Sequence, residues 1–78
     1  MGRNAVSVLQ NIDRISLERI TDRGINWRAR QRAHTLILLD DGLTMAEVAA
    51  RIGIHVRTVG STRTSWILAG MDSLADLE

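Results

Sequence analysis

The run from Leu43 to Trp66, LTMAEVAARIGIHVRTVGSTRTSW, leaves this chain few folds to choose from. Thr44 followed three residues later by Glu47 is a capping box, in which each side chain satisfies a backbone N–H at a helix start. Leu43 before the cap and Val48 at the fourth helical position are placed to close as a hydrophobic staple, so a helix is predicted from Met45. Val48, Ala49 and Ile52 then form one apolar stripe. Gly53 stands where a residue with positive φ ends the helix and turns the chain, and Ile54 is expected to return to the core. A second helix is expected over about 56–69, with Val59, Trp66 and the stem of Arg63 on its inner side. At about 100° per residue, Arg57, Ser61, Thr64 and Leu68 then point outward.

An Ala, a Gly four residues on, an apolar residue and then Thr58-Val59 have the spacing of a helix-turn-helix whose second helix lies against DNA. A small side chain is needed at Ala49, where the two helices cross. The same crossing can dock a protein, so the pattern speaks more strongly for the fold than for the ligand.

Seventy-eight residues bury only about 60% of their unfolded surface, which implies modest stability. Without cysteine there is neither a disulfide framework nor a thiolate metal site, and His34 and His55 stand in no ligand spacing, so no cofactor or metal is expected. No apolar run approaches the roughly 20 residues that span a bilayer and no signal-peptide pattern opens the chain, so a cytoplasmic setting is the default. No nucleophile, base and orienting group fall into a legible set, and enzymatic activity is not expected.

The net charge of +1 hides an asymmetry. Residues 27–70 hold six arginines, Arg28, Arg30, Arg32, Arg51, Arg57 and Arg63, against Asp40, Asp41 and Glu47; the last eight residues hold three acids and no base. Positive charge thus sits with the proposed reading unit, as a phosphate-binding surface requires, although the footprint is thin. All ten basic residues are arginine. That suits bidentate contacts to phosphate or guanine, and a biased genome composition would give the same result.

Met1 to Asn4 reads as a loose basic start with Arg3 exposed. Between Ala5 and Asp22 apolar residues recur at near-helical spacing, among them Leu9, Ile12, Ile15 and Ile20, while Ser16 offers a cap ahead of Leu17. Either one helix from about Val6 or an extended lead into a helix over 17–23 satisfies this pattern. Gly24 ends it. Asn26 can cap a helix over 27–40, whose Ala33, Leu36, Ile37 and either Leu39 or Trp27 form the stripe beneath the helix-turn-helix. Gly42 is placed to close that helix. Gly70 closes the fourth helix, Met71 is expected to fold back as an apolar follower, and Leu74 with Leu77 suggests one more helical turn. The expected architecture is all-α, a small helical bundle with helices at about 17–23, 27–40, 45–52 and 56–69. Residues 1–26 form a basic lead and first helix, and 27–78 the helix-turn-helix part of one compact domain.

Several residues admit two readings. Arg28 and Arg32 share a helix face and either meet flanking phosphates or form an ordinary solvated surface. His55, where such units often carry Ser or Thr, is a phosphate donor or a poorer cap. Gly60 costs about 1 kcal/mol relative to Ala in a helix interior, which points to close backbone approach to DNA or to nothing. Trp66 reads as core and His34 as a boundary residue. Asp40 and Asp41, adjacent acids at a helix C-terminus, oppose its dipole and read as a solvated turn rather than a catalytic pair.

From Arg32 to Asp76 the chain resembles the N-terminal DNA-binding region of mariner-like bacterial insertion-sequence transposases. The resemblance rests on Arg32-Ala33, Gly42-Leu43-Thr44, Glu47-Val48-Ala49, Gly53, Arg57-Thr58-Val59 and the closing Gly70-Met71-Asp72-Ser73-Leu74-Ala75-Asp76. It covers about the last 45 residues well and the first 30 loosely, including Met1-Gly2-Arg3. It implies a homeodomain-like helical bundle that recognises the terminal inverted repeats of its element, here without the second helix-turn-helix and the catalytic domain that follow in such proteins. Members usually carry a Trp three residues after the Val and several arginines around it. Here those positions hold Thr62 and Gly60, Ser61, Arg63 and Thr64.

On this reading the N-terminal part of the helix from Val56 enters the major groove. Arg57 contacts a base edge or a phosphate, Ser61 and Thr64 add hydrogen bonds, and His55, Gly60 and Arg63 lie close by; Arg51, Arg28 and Arg32 fix the register on phosphates. Double-stranded DNA is the expected partner, a homodimer is compatible with the sequence, and neither a membrane nor a small-molecule substrate is indicated. The alternatives are a stand-alone transcriptional regulator, which would bind a two-fold operator as a dimer, and a helical protein-docking module, which would contact few phosphates. A response-regulator output domain shares Gly42-Leu43-Thr44 and Arg57-Thr58-Val59.

Overall fold

A computed structural model describes residues 9–24 and 26–75 of the chain. Five helices account for most of them: α1 (Asn11–Arg23), α2 (Trp27–Asp40), α3 (Met45–Ile52), α4 (Val56–Ala69) and the single turn α5 (Asp72–Ala75). The expected all-α bundle is what the chain forms. The proposed loose start at Met1 to Asn4 and the contribution of Leu77 lie outside the described residues; a single helix running on from about Val6 is not what forms, since Leu9 and Gln10 are not helical and α1 begins at Asn11.

The first helix is longer than the span 17–23. Its N-terminus is set at Gln10, whose backbone N–H donates to the Asp13 carboxylate at 3.3 Å, and Ser16 is an interior residue rather than a cap. Local charges favour the longer helix: Asp13 sits in the first turn, Arg23 in the last, and Arg14 pairs with Glu18 one turn on at 3.0 Å. Gly24 ends α1, as expected, because nothing larger fits: an added Cβ would lie 2.6 Å from the Ile20 carbonyl oxygen. Arg30 of α2 donates to the Gly24 carbonyl and secures this corner.

Asn26 caps α2, its side chain accepting the Arg28 N–H at 2.8 Å. The helix serves two cores. Ala33, Leu36 and Ile37 meet Leu17 of α1, Trp66 of α4 and Leu74 of α5, with Leu9 and Ile20 at the edge. Leu38 meets Val48 and Ala49 of α3 and Val59 of α4, flanked by Leu39, Leu43, Met45, Ile52 and Ile54. Of the two candidates to complete the α2 stripe, Leu39 does so, whereas Trp27 is 57% exposed. Met71 does not fold back: it is exposed, and Leu74, three residues beyond it, packs into the cluster of Trp66 instead.

Candidate nucleic-acid interface

The geometry of α3 and α4 follows from three local devices. The capping box forms as the sequence specifies: Glu47 N–H donates to Thr44 Oγ1 at 3.1 Å, and Thr44 N–H donates to Glu47 Oε1 at 2.8 Å. Gly53 takes a left-handed conformation, φ 86°, and both its N–H and that of Ile54 donate to the Ala49 carbonyl, at 2.8 and 3.0 Å. This closes α3 and sets the direction of α4; a side chain at that φ costs about 1–2 kcal/mol. His55 caps α4, its Nδ1 accepting the Arg57 N–H at 3.0 Å. An accepting Nδ1 belongs to a neutral ring with its proton on Nε2, and the exposed His55 thereby presents an N–H donor at the positive end of α4. The cap reading of His55 is realised, in a form that leaves the phosphate-donor reading intact.

On α4 the buried residues are Val59, Thr62 and Trp66. Arg63 was expected to lay its stem among them, and it does not: it is exposed, and Thr62 takes the inner place. With about 100° per residue, the centre of the three buried positions lies roughly 30° from Val59 towards Thr62, which carries Arg63 out of contact. Arg57, Ser61, Thr64 and Leu68 are all exposed, on the opposite face. From Arg57 to Thr64 is about 10.5 Å along the axis, close to the roughly 12 Å width of a B-DNA major groove. Leu68, 81% exposed, lies about 6 Å further along. Val56 is 40% exposed at the start of the helix. Gly60 is half-buried, and an added Cβ would stand 3.5 Å from Met45 Cε, so its side faces α3 at the helix crossing rather than the outer row.

The other basic residues flank this row from other elements. Arg51 is exposed in the last turn of α3, beside a shallow depression lined by Leu43, Glu47 and Ala50. Arg51, Arg57 and Arg63 form no ion pair among the described residues. Arg28 and Arg32 belong to α2. Arg28 is exposed with its guanidinium carbon 5.3 Å from the centroid of the Trp27 ring, and Arg32 is half-buried.

Sequence reasoning missed one charged cluster. Arg14 of α1 donates through Nη1 to Asp40 at 2.8 Å and Asp41 at 2.9 Å, and through Nε to Glu18 at 3.0 Å. Glu18 first, then Asp41 and Asp40, hold the guanidinium well above its ordinary pKa. The i,i+4 spacing of Arg14 and Glu18 is visible in the sequence; the bond spanning 26 residues to Asp40 is not. Asp40 and Asp41 therefore make a cross-helix clasp, not the solvated turn expected. No group of three His, Asp or Glu gathers among the described residues at metal-binding spacing.

A family model of the homeodomain-like domain matches residues 26–75, the span from the α2 cap to the end of α5. The chain belongs to the homeodomain-like family. No curated protein and no solved structure matches it. The matched span takes in α2, α3 and α4, the three helices that make up the helix-turn-helix unit here. The α1 helix lies outside the matched span.

Proposed function

We propose that this domain binds double-stranded DNA in a sequence-specific manner, with Arg57, Ser61 and Thr64 of α4 facing the base edges. The reading is carried by the outer row of α4, exposed and about as long as the groove is wide, on a helix whose inner face is committed to the core. His55 Nε2 and the N-terminal turn at Val56 approach a phosphate, Arg51 and Arg63 contact the backbone on either side, and Arg28 and Arg32 extend the contact along α2. Gly60 lies on the side of α4 that faces α3, where an added methyl would make an ordinary contact with Met45, so it is not counted among the base-facing residues. Together with the resemblance over residues 32–76, this supports the finer reading of an end-recognition module of a transposase, acting on terminal inverted repeats.

Selection of bound duplexes from a random pool at near-physiological salt, with Arg57→Ala as control, tests this. An enriched motif is expected. Arg57→Ala should cost about 1–3 kcal/mol and relax preference at one position if Arg57 reads a guanine. An asymmetric motif fits a transposon end, and a two-fold motif with half-sites 34–36 Å apart fits a regulator. The exposed Ile67, Leu68 and Met71 favour one other reading, docking to a protein through the distal end of α4. That reading expects no enriched motif and binding lost by moderate salt.

A further inference from the structure

In homeodomain-like domains the connection between the first and second helices contacts the DNA backbone. Here that connection runs from α2 to α3 and opens with two acids, Asp40 and Asp41, at a helix C-terminus whose dipole adds negative charge. Its backbone donors are used internally: Asp41 N–H to Ile37 O at 2.9 Å, Gly42 N–H to Leu39 O at 3.0 Å and Leu43 N–H to Leu38 O at 3.2 Å. Thr44 N–H is held by Glu47. The turn thus offers a phosphate no backbone donor and confronts it with two carboxylates.

Arg14 reaches this turn from α1, outside the family span, and holds both carboxylates on one nitrogen at 2.8 and 2.9 Å. The Asp40 side chain is only 19% exposed in that grip. We propose that Arg14 is a positioning residue for DNA binding: by drawing the two carboxylates onto α1 and offsetting their charge, it lets the α2–α3 turn approach the phosphate backbone while α4 is seated in the groove. This rests on the DNA-binding reading above. The Asp41 side chain stays 43% exposed in that grip and Arg14 is shared with Glu18, so a carboxylate still faces an approaching phosphate and the turn still restrains affinity in the native chain. Removing Arg14 strengthens that restraint, and removing the carboxylate charges relieves it.

The test uses the full chain and a fluorescently labelled duplex of about 20 base pairs, titrated between roughly 50 and 200 mM salt. The variants are R14L, D40N/D41N, the triple variant combining them, and R57A. Far-UV circular dichroism fixes a temperature at which each is folded. At the low-salt end R14L should bind about three- to tenfold more weakly than the native chain, with the gap narrowing as salt rises. D40N/D41N should bind more tightly than native, and the triple variant should recover native affinity or better. If R14L does not fold, the D40N/D41N arm decides alone: affinity equal to native, or lower, overturns the proposal. An R14L deficit that is the same at all salt concentrations and is not recovered in the triple variant marks a packing role and also overturns it. If neither the native chain nor R57A binds the duplex, the DNA-binding reading itself fails and this one with it; if both bind equally well, α4 is not seated in the groove through Arg57, and the proposal, which needs that seating, is overturned. R57A weakened while R14L matches native removes only the role of Arg14.

Discussion

At the first turn of α4 one imidazole closes the helix and faces solvent. Replacing His55 by Ala removes the acceptor for the Arg57 N–H and should cost about 0.5–2 kcal/mol, whereas Asn, a stronger capping residue, should cost little or nothing; urea denaturation followed by circular dichroism separates the two. Gly60 carries the opposite expectation. Its added methyl would make an ordinary contact with Met45 at 3.5 Å, so Gly60→Ala should raise stability by up to about 1 kcal/mol, read as a higher denaturation midpoint. A destabilised Gly60→Ala would show that the α3–α4 crossing tolerates no extra volume. Single residues were legible in the sequence where their role is local. The Thr44-Glu47 box, the Asn26 cap and the turn at Gly53 follow from neighbours within four positions. Arg14 was not legible, since its partners Asp40 and Asp41 come from another helix. Thr62 was missed because taking Val59 as the centre of the inner face rotated the helix by a fraction of a turn.

The helices themselves show the same division. For α2, α3 and α4 the predicted and observed ends coincide, because each carries a side-chain cap at its start and a helix-ending Asp-Gly or Gly at its end. For α1 the side chains supplied conflicting signals. Ser16 advertised a cap, and the helix runs through it, since burial of Leu17 and Ile20 against α2 outweighs a weak local preference. Leu17 is fully buried, and Leu17→Ala should lower stability by about 2–5 kcal/mol. Trp66 is 5% exposed and Trp27 57%, so tryptophan emission reports chiefly the core. Coincidence of its denaturation curve with that of far-UV circular dichroism would show α1 melting with the rest. An early, partial loss of helix accompanied by only part of the emission change, as Trp66 loses Leu17, would mark α1 as an appendage.

Over the whole molecule the basic surface is spread thinly and in part consumed. Arg14 is committed to three carboxylates and Arg30 to the Gly24 carbonyl, which leaves three or four arginines near α4 for phosphates. With three or four phosphate contacts the slope of log affinity against log salt should be about −2.7 to −3.6. Affinity should then fall roughly 50- to 150-fold between 50 and 200 mM, measured by fluorescence anisotropy; a much steeper slope would require a wider footprint than α4 and its neighbours supply. On the proposed reading, folding and target choice fall to different letters of the same helix. Only Val59, Thr62 and Trp66 of the fourteen residues of α4 are buried. The outer positions 57, 61 and 64 can be rewritten with little consequence for the core, so a lineage carrying this scaffold is free to follow a drifting binding site by point substitution, and a laboratory library confined to those three codons would explore new targets without having to relearn the fold.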